Sequence, residues 1–348
     1  MPASDLIYAG RNVDFTRAIT KPEFSKRSVL DHDSFQFVEL WLRREKHKDA
    51  LFYWTQARSF FEASKILQGT ASPLTSYYCM LNATKTLLAV KGVKARESHG
   101  VSGEAVNSRT SLANEESSIR HSGILAELSR YLGETETNST HSLDDILSNL
   151  PFIHRAYVLT RNKDAELFIR IHEPRYVRHP TANRVWLAAE VAGHEADRRV
   201  LRWMPPHFQI DDGYTQSRVI RSTQRVRWFP RQGANLSTKE TAISRLRSRH
   251  RRLRLDVVSI SATETLWYLK RRLASYTIID RYGLTLMMMA MDRLSELARY
   301  DPKGLSRHLS GRENWLLNEF LSLAPAQFVD EISSEITGLE FRMPAVRR

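Results

Sequence analysis

The chain has 348 residues, which is enough for two domains with sizeable cores or for one large domain. Hydrophobic residues make up 42% of it and charged residues 26%, which excludes wholesale disorder, and Cys79, the one cysteine, excludes an internal disulfide. The net charge of +13 favours a polyanionic partner such as nucleic acid or an anionic surface.

The first 33 residues are polar and irregular, so we expect an N-terminal arm over residues 1–33. This segment lacks the apolar stretch of a secretory signal. The most apolar run of the chain, residues 282–291, is too short to cross a bilayer. We therefore predict a cytoplasmic protein without a membrane partner.

Helical periodicity characterises residues 34–154, and residues 102–118 interrupt it with the composition of a loop. One predicted helix has Ser72 at its N-cap, Pro73 at its first position and Gly92 after its end. Helices are predicted over residues 34–48, 49–68, 72–91, 119–133 and 142–151.

The period changes after residue 154, and residues 155–235 are predicted to be a β-rich insert. Within it, residues 214–229 are typical of a strand whose alternation separates an arginine face from an apolar face. Helices are then predicted over residues 237–253, 263–275 and 278–299, followed by two helical segments that break near Pro325.

The positive charge is concentrated in residues 198–254, which contain fifteen Arg or Lys and three Asp or Glu residues. Concentrated charge of this kind releases counterions from nucleic acid, although a solvated basic face without a ligand is the alternative. No base-reading motif accompanies it, so we expect contacts with the phosphate backbone. The predicted nucleic-acid-binding residues are Arg221, Arg225, Arg227, Arg247, Arg249, Arg251, Arg252 and Arg254, together with Lys91, Lys94 and Arg96.

Two resemblances follow from short segments of the chain. SYYCMLNATKTLLAVKG followed by SHGVS resembles the HEPN superfamily of nucleotide-binding helical domains. ARSFFEASK, PLTSYYCMLNATKTLL, SHGVS, HSLDDILSNLPFIHRAY and LSELARYDP, in this order, resemble the bacterial YaaC-like family. The first resemblance implies a helical bundle that often dimerises, and the second covers most of the chain but implies no assigned chemistry.

The HEPN resemblance also bears on catalysis, because many HEPN proteins are metal-independent RNases in which four to six residues separate an Arg from a His. That spacing occurs at Arg27 with His32, Arg202 with His207, and Arg245 with His250. Roughly four such spacings are expected by chance, so their number alone carries no signal. Arg245 and His250 are the preferred pair because they lie on the predicted basic helix.

His99 is a separate catalytic candidate. It follows three basic residues and precedes Gly100, so it could bind phosphate or transfer protons, or it could only anchor a loop. The sequence contains no Walker A loop, nucleophile elbow, dinucleotide fingerprint or zincin pair, and we predict neither a metal nor a cofactor. Whether the protein is an enzyme stays open, and a metal-independent endoribonuclease is the enzymatic alternative.

Together these features predict an α+β, mainly α protein: a HEPN-like helical bundle with a β-rich basic insert. The predicted parts are an arm (1–33), a HEPN-like helical part (34–154), the insert (155–235) and a C-terminal helical part (236–348). The predicted function is nucleic-acid binding through the basic surface, as a homodimer or with a protein partner. By analogy with HEPN proteins, a role in a defence or toxin system is expected. A non-catalytic structural subunit of a protein complex is the third alternative.

Overall fold

The computed structural model describes residues 3–26, 28–67, 69–214 and 218–342. The chain divides into two compact units. The sheet unit comprises the described residues of Met1–Leu30, Phe168–Leu273 and Gly338–Arg348. The helical unit comprises those of Asp31–Leu167 and Ala274–Thr337.

Short strands predominate at the N-terminus, and the longest strands lie in the middle of the chain. In chain order the strands are β1 (Ser4–Asp5), β2 (Ile7–Tyr8), β3 (Arg11–Asn12), β4 (Val29–Leu30), β5 (Val101–Ala105), β6 (Glu115–Ile119), β7 (Thr140–Ser142), β8 (Phe168–Arg178), β9 (Arg184–Val191), β10 (Phe208–Ile210), β11 (Arg218–Ser222), β12 (Val226–Arg227), β13 (Val257–Ser261), β14 (Thr265–Lys270) and β15 (Phe341–Arg342).

Helices fill most of the helical unit, and the sheet unit contains one long helix. They are α1 (Ser34–Arg44), α2 (Lys48–Ile66), α3 (Ser72–Val90), α4 (Ile124–Leu132), α5 (Leu143–Ser148), α6 (His154–Arg161), α7 (Arg198–Leu201), α8 (Leu236–Leu253), α9 (Gly283–Tyr300), α10 (Pro302–Ser310) and α11 (Asn314–Thr337). Short 3-10 helices cover Gly69–Ala71, Leu112–Asn114, Pro151–Ile153 and Gly193–Ala196.

The sheet unit is built on an antiparallel sheet with the strand order β10-β11-β9-β8-β14-β13. Strand β1 also pairs with β8, and β12 with β9. Alternating apolar side chains of these strands pack against the apolar stripe of α8, which carries Ala242, Ile243, Leu246 and Leu253. The side chains of the strands and of α8 together form the hydrophobic core of the unit.

The helical unit contains the helices α1 to α6 and α9 to α11, together with a small antiparallel sheet of order β5-β6-β7. Helix α3 is apolar on nearly all sides and most of its residues are buried, as expected for a central helix. It packs against α2, α9 and α11. Pro325 lies inside α11, which continues as one helix, so the predicted break at this residue is wrong.

The predicted fold class, a mainly α HEPN-like bundle with a β-rich basic insert, is wrong. The protein is α+β, with 47% helix and 19% strand, and a large curled antiparallel sheet is one of its main parts. Residues 265–270 form β14 instead of the predicted helix, because the short apolar run TLWYLK pairs with β8 and β13.

Two further segments were predicted to be irregular, but both contain strands. The predicted N-terminal arm supplies Leu6, Val13 and Phe15 to the core of the sheet unit. The predicted loop over residues 102–118 contains most of β5 and β6. The predicted division of the chain into four parts stays a prediction.

Candidate nucleic-acid interface and candidate acid–base site

Six arginines of the sheet unit, here called the arginine cluster, lie around the turn between β8 and β9. The turn is closed by the backbone of His179, whose N–H donates to Arg184 O at 2.9 Å. Strand β12 pairs with β9 beside this turn, and the next residue extends the ladder, since Trp228 N donates to Asn183 O at 3.0 Å. The cluster consists of Arg178, Arg184, Arg225, Arg227, Arg231 and Arg245.

Arg184 and Arg227 are direct cross-strand partners in the antiparallel pair of β9 and β12. Both side chains are exposed. Like charges placed directly opposite each other on neighbouring strands destabilise a sheet. The fold therefore tolerates an unfavourable pair at this position.

Hydrogen bonds connect Arg178 and Arg231 to the same turn. Arg178 Nη2 donates to Asn183 Oδ1 at 2.8 Å and to Phe229 O at 3.1 Å. Arg231 Nη2 donates to Pro180 O at 3.4 Å. Arg227 and Arg245 line one cleft together with Asn183, Trp228 and Phe229.

The charges of the cluster are not neutralised within the part of the chain that the structure describes. None of its six arginines forms an ion pair there with a described carboxylate. Burial, and secondarily the positive charge of Arg231, lowers the pKa of Arg178 below its usual value. A surface with this excess of positive charge attracts anions.

Trp186 supports one edge of the cluster. The guanidinium of Arg225 lies 4.9 Å from the centre of the Trp186 ring, within the range of a cation–π contact. The indole itself is buried, as is that of Trp228, so neither ring offers a face on which a base could stack. Trp203, which is 40% exposed, is the accessible tryptophan of this unit's described part.

The predicted nucleic-acid-binding residues of the sheet unit fall into different environments. Arg225 and Arg227 belong to the arginine cluster. Arg221 is half-buried and pairs with Asp211 at 3.3 Å. Arg252 is exposed on α8.

The remaining predicted arginines of α8 and its C-terminal end contact the protein itself. Arg247 pairs with Glu23 at 3.3 Å and lines a cleft together with the half-buried Arg251. Arg249 and Arg254 are buried. Arg249 Nη1 donates to Gln224 Oε1 at 2.7 Å, and Arg254 Nη1 donates to Val257 O at 2.5 Å.

The three predicted basic residues around residue 94 lie in the helical unit. Lys91 Nζ donates to Ile336 O at 2.9 Å. Lys94 and Arg96 are exposed. The predicted nucleic-acid-binding residues thus lie in both units. Several of them are buried or bonded to other residues of the protein.

His250, the preferred catalytic histidine, lies in the core of the sheet unit with no exposed surface. Its Nε2 donates to Ala18 O at 2.8 Å, since a carbonyl can only accept, and its Nδ1 accepts from the Tyr176 hydroxyl at 2.9 Å. Burial and the charge of Arg254 lower its pKa to about 3. This environment is that of a neutral structural histidine, whereas Arg245 lies at the surface.

Of the two other Arg–His spacings, the structure describes both members of one, Arg202 with His207. His207 Nε2 pairs with the buried Asp256 at 2.6 Å. Arg27 lies outside the described residues, and its pair with His32 stays a prediction.

His99 lies in a different setting, on a loop that is held by close backbone contacts in the helical unit. Ser98 O and His99 O accept from the N–H groups of Ile124 and Leu125, in the first turn of α4, at 2.9 and 3.0 Å. A Cβ at Gly123, where φ is +116°, would lie 2.5 Å from Gly100 N. Glycine is therefore required at residue 123, and its close contact with Gly100 fixes the backbone of the neighbouring His99.

The His99 site contains a partly exposed imidazole beside buried hydroxyl and carboxyl groups. His99 is 36% exposed, and its Nδ1 lies 4.0 Å from Oδ1 of Asp292. Its ring centre lies 5.3 Å from that of Tyr77 and 6.2 Å from that of Tyr78. Arg299, exposed on α9, donates from Nη2 to the Tyr78 hydroxyl at 3.3 Å.

Two buried polar atoms at this site, Asp292 Oδ2 and the Tyr77 hydroxyl, lack a partner with ordinary hydrogen-bond geometry. Each group nevertheless acts on the pKa of the other through their side-chain interaction, so neither is isolated. Unsatisfied buried groups cost on the order of 1–3 kcal/mol each, and proteins tend to keep them where they have a function.

The electrostatics of the site favour a neutral imidazole and a protonated carboxyl. Burial, followed by the charges of Arg299 and Lys85, lowers the pKa of His99. Burial and the neighbouring Glu296 raise the pKa of Asp292 to about 7. The pKa values of this acid and this base are thus shifted in opposite directions, a combination that is common at sites that transfer protons.

No group of three or more His, Cys, Asp or Glu side chains in residues 3–26, 28–67, 69–214 and 218–342 could hold a metal ion. Within the same residues, no helix is both long and apolar enough to cross a membrane.

The fold and the sites define an α+β protein with an arginine-rich surface on one unit and a histidine–carboxyl site on the other. The family of YaaC-like proteins matches residues 14–336, so the chain belongs to this family. No curated protein matches the chain significantly. No solved structure does so either, and a HEPN-like core is not confirmed.

Proposed function

We propose that the protein binds nucleic acid by contacting its phosphate backbone through the arginine cluster. The observation that carries this proposal is the pair of Arg184 and Arg227, which face each other across two strands without a carboxylate partner among the described residues. A phosphate between them would convert a repulsive pair into a bidentate anion site.

The geometry supports backbone contact better than base reading. The tryptophans next to the cluster are buried, so stacking on bases is not available to them. Arginines on a β-turn and on neighbouring strands present their guanidinium groups to the phosphates of any sequence. The expected binding is therefore weakly sequence-specific and strongly dependent on salt.

The direct test replaces Arg184, Arg227 and Arg245 with Gln in one variant. We expect affinity for a single-stranded 20-mer to fall roughly 10- to 100-fold at moderate salt, because three phosphate contacts are lost. Fluorescence anisotropy with labelled RNA and labelled DNA measures the change and decides between the two polymers.

The matched control removes the same net charge elsewhere, with Arg43, Arg44 and Arg155 changed to Gln. These arginines are exposed but pair with Glu39, Glu45 and Glu166. The control is expected to keep its affinity within about twofold, because paired exposed charges contribute little. Equal losses in both variants would reject the cluster as the site.

A structural subunit that meets an acidic protein partner is the alternative. It predicts no measurable binding of either polymer by the wild-type chain, even at low salt. A HEPN-like origin of the helical unit, a cytoplasmic location and a role in defence remain predictions of the sequence.

A further inference from the structure

We propose that a short segment of the sheet unit binds an unpaired base of a single-stranded nucleic acid, which stacks on the ring of Trp203 while neighbouring arginines contact the adjacent phosphates. The segment, here called the α7 patch, consists of Arg198, Arg199, Arg202 and Trp203. This proposal rests on the proposed function for the nature of the ligand, and it goes further by naming unpaired bases as part of what is bound.

The ring of Trp203 is exposed although its neighbours in the chain enter the core. Leu201 is buried, and Met204 packs against the hydrophobic core of the sheet unit. Trp203 is 40% exposed, and the guanidinium of Arg202 lies 4.9 Å from the centre of its ring. An exposed indole beside a guanidinium suits the stacking of a base of any sequence, because every base has a π-face.

The arginines of the α7 patch are available to a ligand. Arg198, Arg199 and Arg202 are exposed, and in the part of the chain that the structure describes none of them lies within ion-pair distance of a carboxylate. The neighbouring Asp197 caps α7 instead, since its Oδ1 accepts from Arg199 N at 2.7 Å. Positive charge without a carboxylate partner beside an exposed aromatic ring favours a ligand that carries both phosphates and free base faces.

Hydrogen bonds hold the backbone of Trp203 in place. Its carbonyl oxygen accepts from Arg272 N at 2.8 Å. Arg272 Nη2 donates to Oδ1 of the buried Asp256 at 2.7 Å, and Oδ2 of the same carboxylate lies 2.6 Å from His207 Nε2. The ring is thus presented from a fixed backbone, which reduces the conformational entropy lost on binding.

The segment that follows Trp203 also contacts the connection that carries Arg225 of the arginine cluster. His207 directly precedes β10, whose first residue, Phe208, pairs with Ser222 at the end of β11. The carbonyl oxygen of His207 accepts from Thr223 N at 2.9 Å, and Arg225 follows two residues later. The α7 patch and the arginine cluster are therefore linked through neighbouring residues of one unit, and a sufficiently long strand can contact both.

Stacking on Trp203 requires a base whose face is free. Neighbouring bases cover these faces in a duplex, whereas the bases of a single strand can be separated and stacked on aromatic side chains. Contacts with phosphates alone do not require an unpaired base. Loss of the Trp203 ring is therefore expected to weaken the binding of a single strand and to leave the binding of a duplex unchanged.

The test measures the fluorescence anisotropy of labelled uridine and thymidine 20-mers with the full chain, together with their abasic counterparts, which keep every phosphate but lack the bases. Trp203→Ala is expected to lower the affinity for the base-bearing strands roughly 5- to 150-fold, the range that alanine substitution gives for one stacked base. The affinity for the abasic strands and for a duplex should stay within about twofold, because phosphate contacts dominate their binding.

Two further variants separate stacking from a general disturbance of the surface. Trp203→Phe keeps an aromatic ring and should restore part of the affinity for the base-bearing strands. Trp315→Ala removes the ring of another exposed tryptophan, on α11 of the helical unit, and should keep the affinity of the wild type. An equal loss in Trp203→Ala and Trp315→Ala would overturn the α7 patch as the stacking site.

The outcomes also distinguish this proposal from the proposed function. Base-bearing and abasic strands that the wild type binds equally well overturn the stacking on Trp203 and leave the arginine cluster in place as a binding site. A loss of affinity in Trp203→Ala without a loss in the Arg184, Arg227 and Arg245 triple Gln variant overturns the cluster and supports the α7 patch. Absence of binding of every 20-mer by the wild-type chain overturns both.

Discussion

Acidification from pH 7 to pH 4 is expected to remove about 3 kcal/mol from the unfolding free energy of the sheet unit through His250 alone. His250 is fully buried and neutral, and its pKa in the folded state is lowered from 6.5 to about 3. At pH values between these two pKa values, the His250 imidazole is protonated in the unfolded chain and neutral in the folded chain. Stability contributed by the neutral form is therefore present above pH 6.5 and is lost as the pH falls, by roughly 1.4 kcal/mol per pH unit.

His250→Gln isolates this contribution because glutamine keeps a donor for Ala18 O but cannot titrate. Urea unfolding at pH 4, 5, 6 and 7, followed by pulsed hydrogen exchange at α8 and β8 peptides, reports on the sheet unit. The wild-type slope should exceed the variant slope by about 1.4 kcal/mol per pH unit. His32→Gln, at an exposed position, is the control, and equal slopes for wild type and His250→Gln would contradict the prediction.

Asp292→Asn is expected to stabilise the helical unit by roughly 2–4 kcal/mol at pH 8. Burial raises the folded-state pKa of this carboxyl from 3.8 to about 7. The folded chain therefore binds the proton more tightly, and the stability that this provides is present below pH 3.8 and is lost as the pH rises through 7. Asparagine stays neutral at every pH and avoids the buried charge.

The stabilisation by Asp292→Asn should vanish at pH 4, where the buried Asp292 and its Asn replacement are both neutral. This pH dependence would identify the buried charge as its cause. Pulsed hydrogen exchange at α9 peptides measures it in the helical unit. Asp164→Asn, an exposed substitution in the same unit, should leave stability unchanged within about 0.5 kcal/mol. A variant less stable than wild type at pH 8 would show that the Asp292 carboxylate is a net stabilising group.

The sequence predicts individual elements well where a single face is buried. Ile243, Leu246, His250 and Leu253 repeat at helical spacing, and α8 extends from Leu236 to Leu253, one residue from the predicted start. Asn235 caps this helix, and its Oδ1 accepts from Thr238 N at 2.8 Å. Local periodicity carries this information because it depends only on neighbouring residues.

Elements whose identity depends on a distant partner were predicted wrongly. The run TLWYLK is apolar enough for a helix or a strand, and only its pairing with β8 makes it β14. The same limit applies to the arrangement of the sheet, which combines the N-terminal segment with residues 168–273. Pairing of this kind is a tertiary property that a single sequence does not encode locally.

The candidate sites show the same difference between features that depend on neighbouring residues and features that depend on distant ones. Counting charges identified Arg225 and Arg227, but Arg178 and Arg184 lie outside the basic window and join the cluster only through strand register. His99 was identified from the basic residues before it and the glycine after it. Asp292 was missed because it belongs to an apolar helix, although a lone acid in LMMMAMDRL is a signal that could have been used.

The salt dependence of nucleic-acid binding tests the central claim most directly. The logarithm of the observed binding constant for a single-stranded 20-mer is plotted against the logarithm of the salt concentration, for wild type and for the Arg184, Arg227 and Arg245 triple Gln variant. If the arginine cluster contacts phosphates, the wild-type line is steep, and the slope of the variant is shallower by about 2, at roughly 0.7 for each lost contact. Parallel lines for the two proteins would contradict the account.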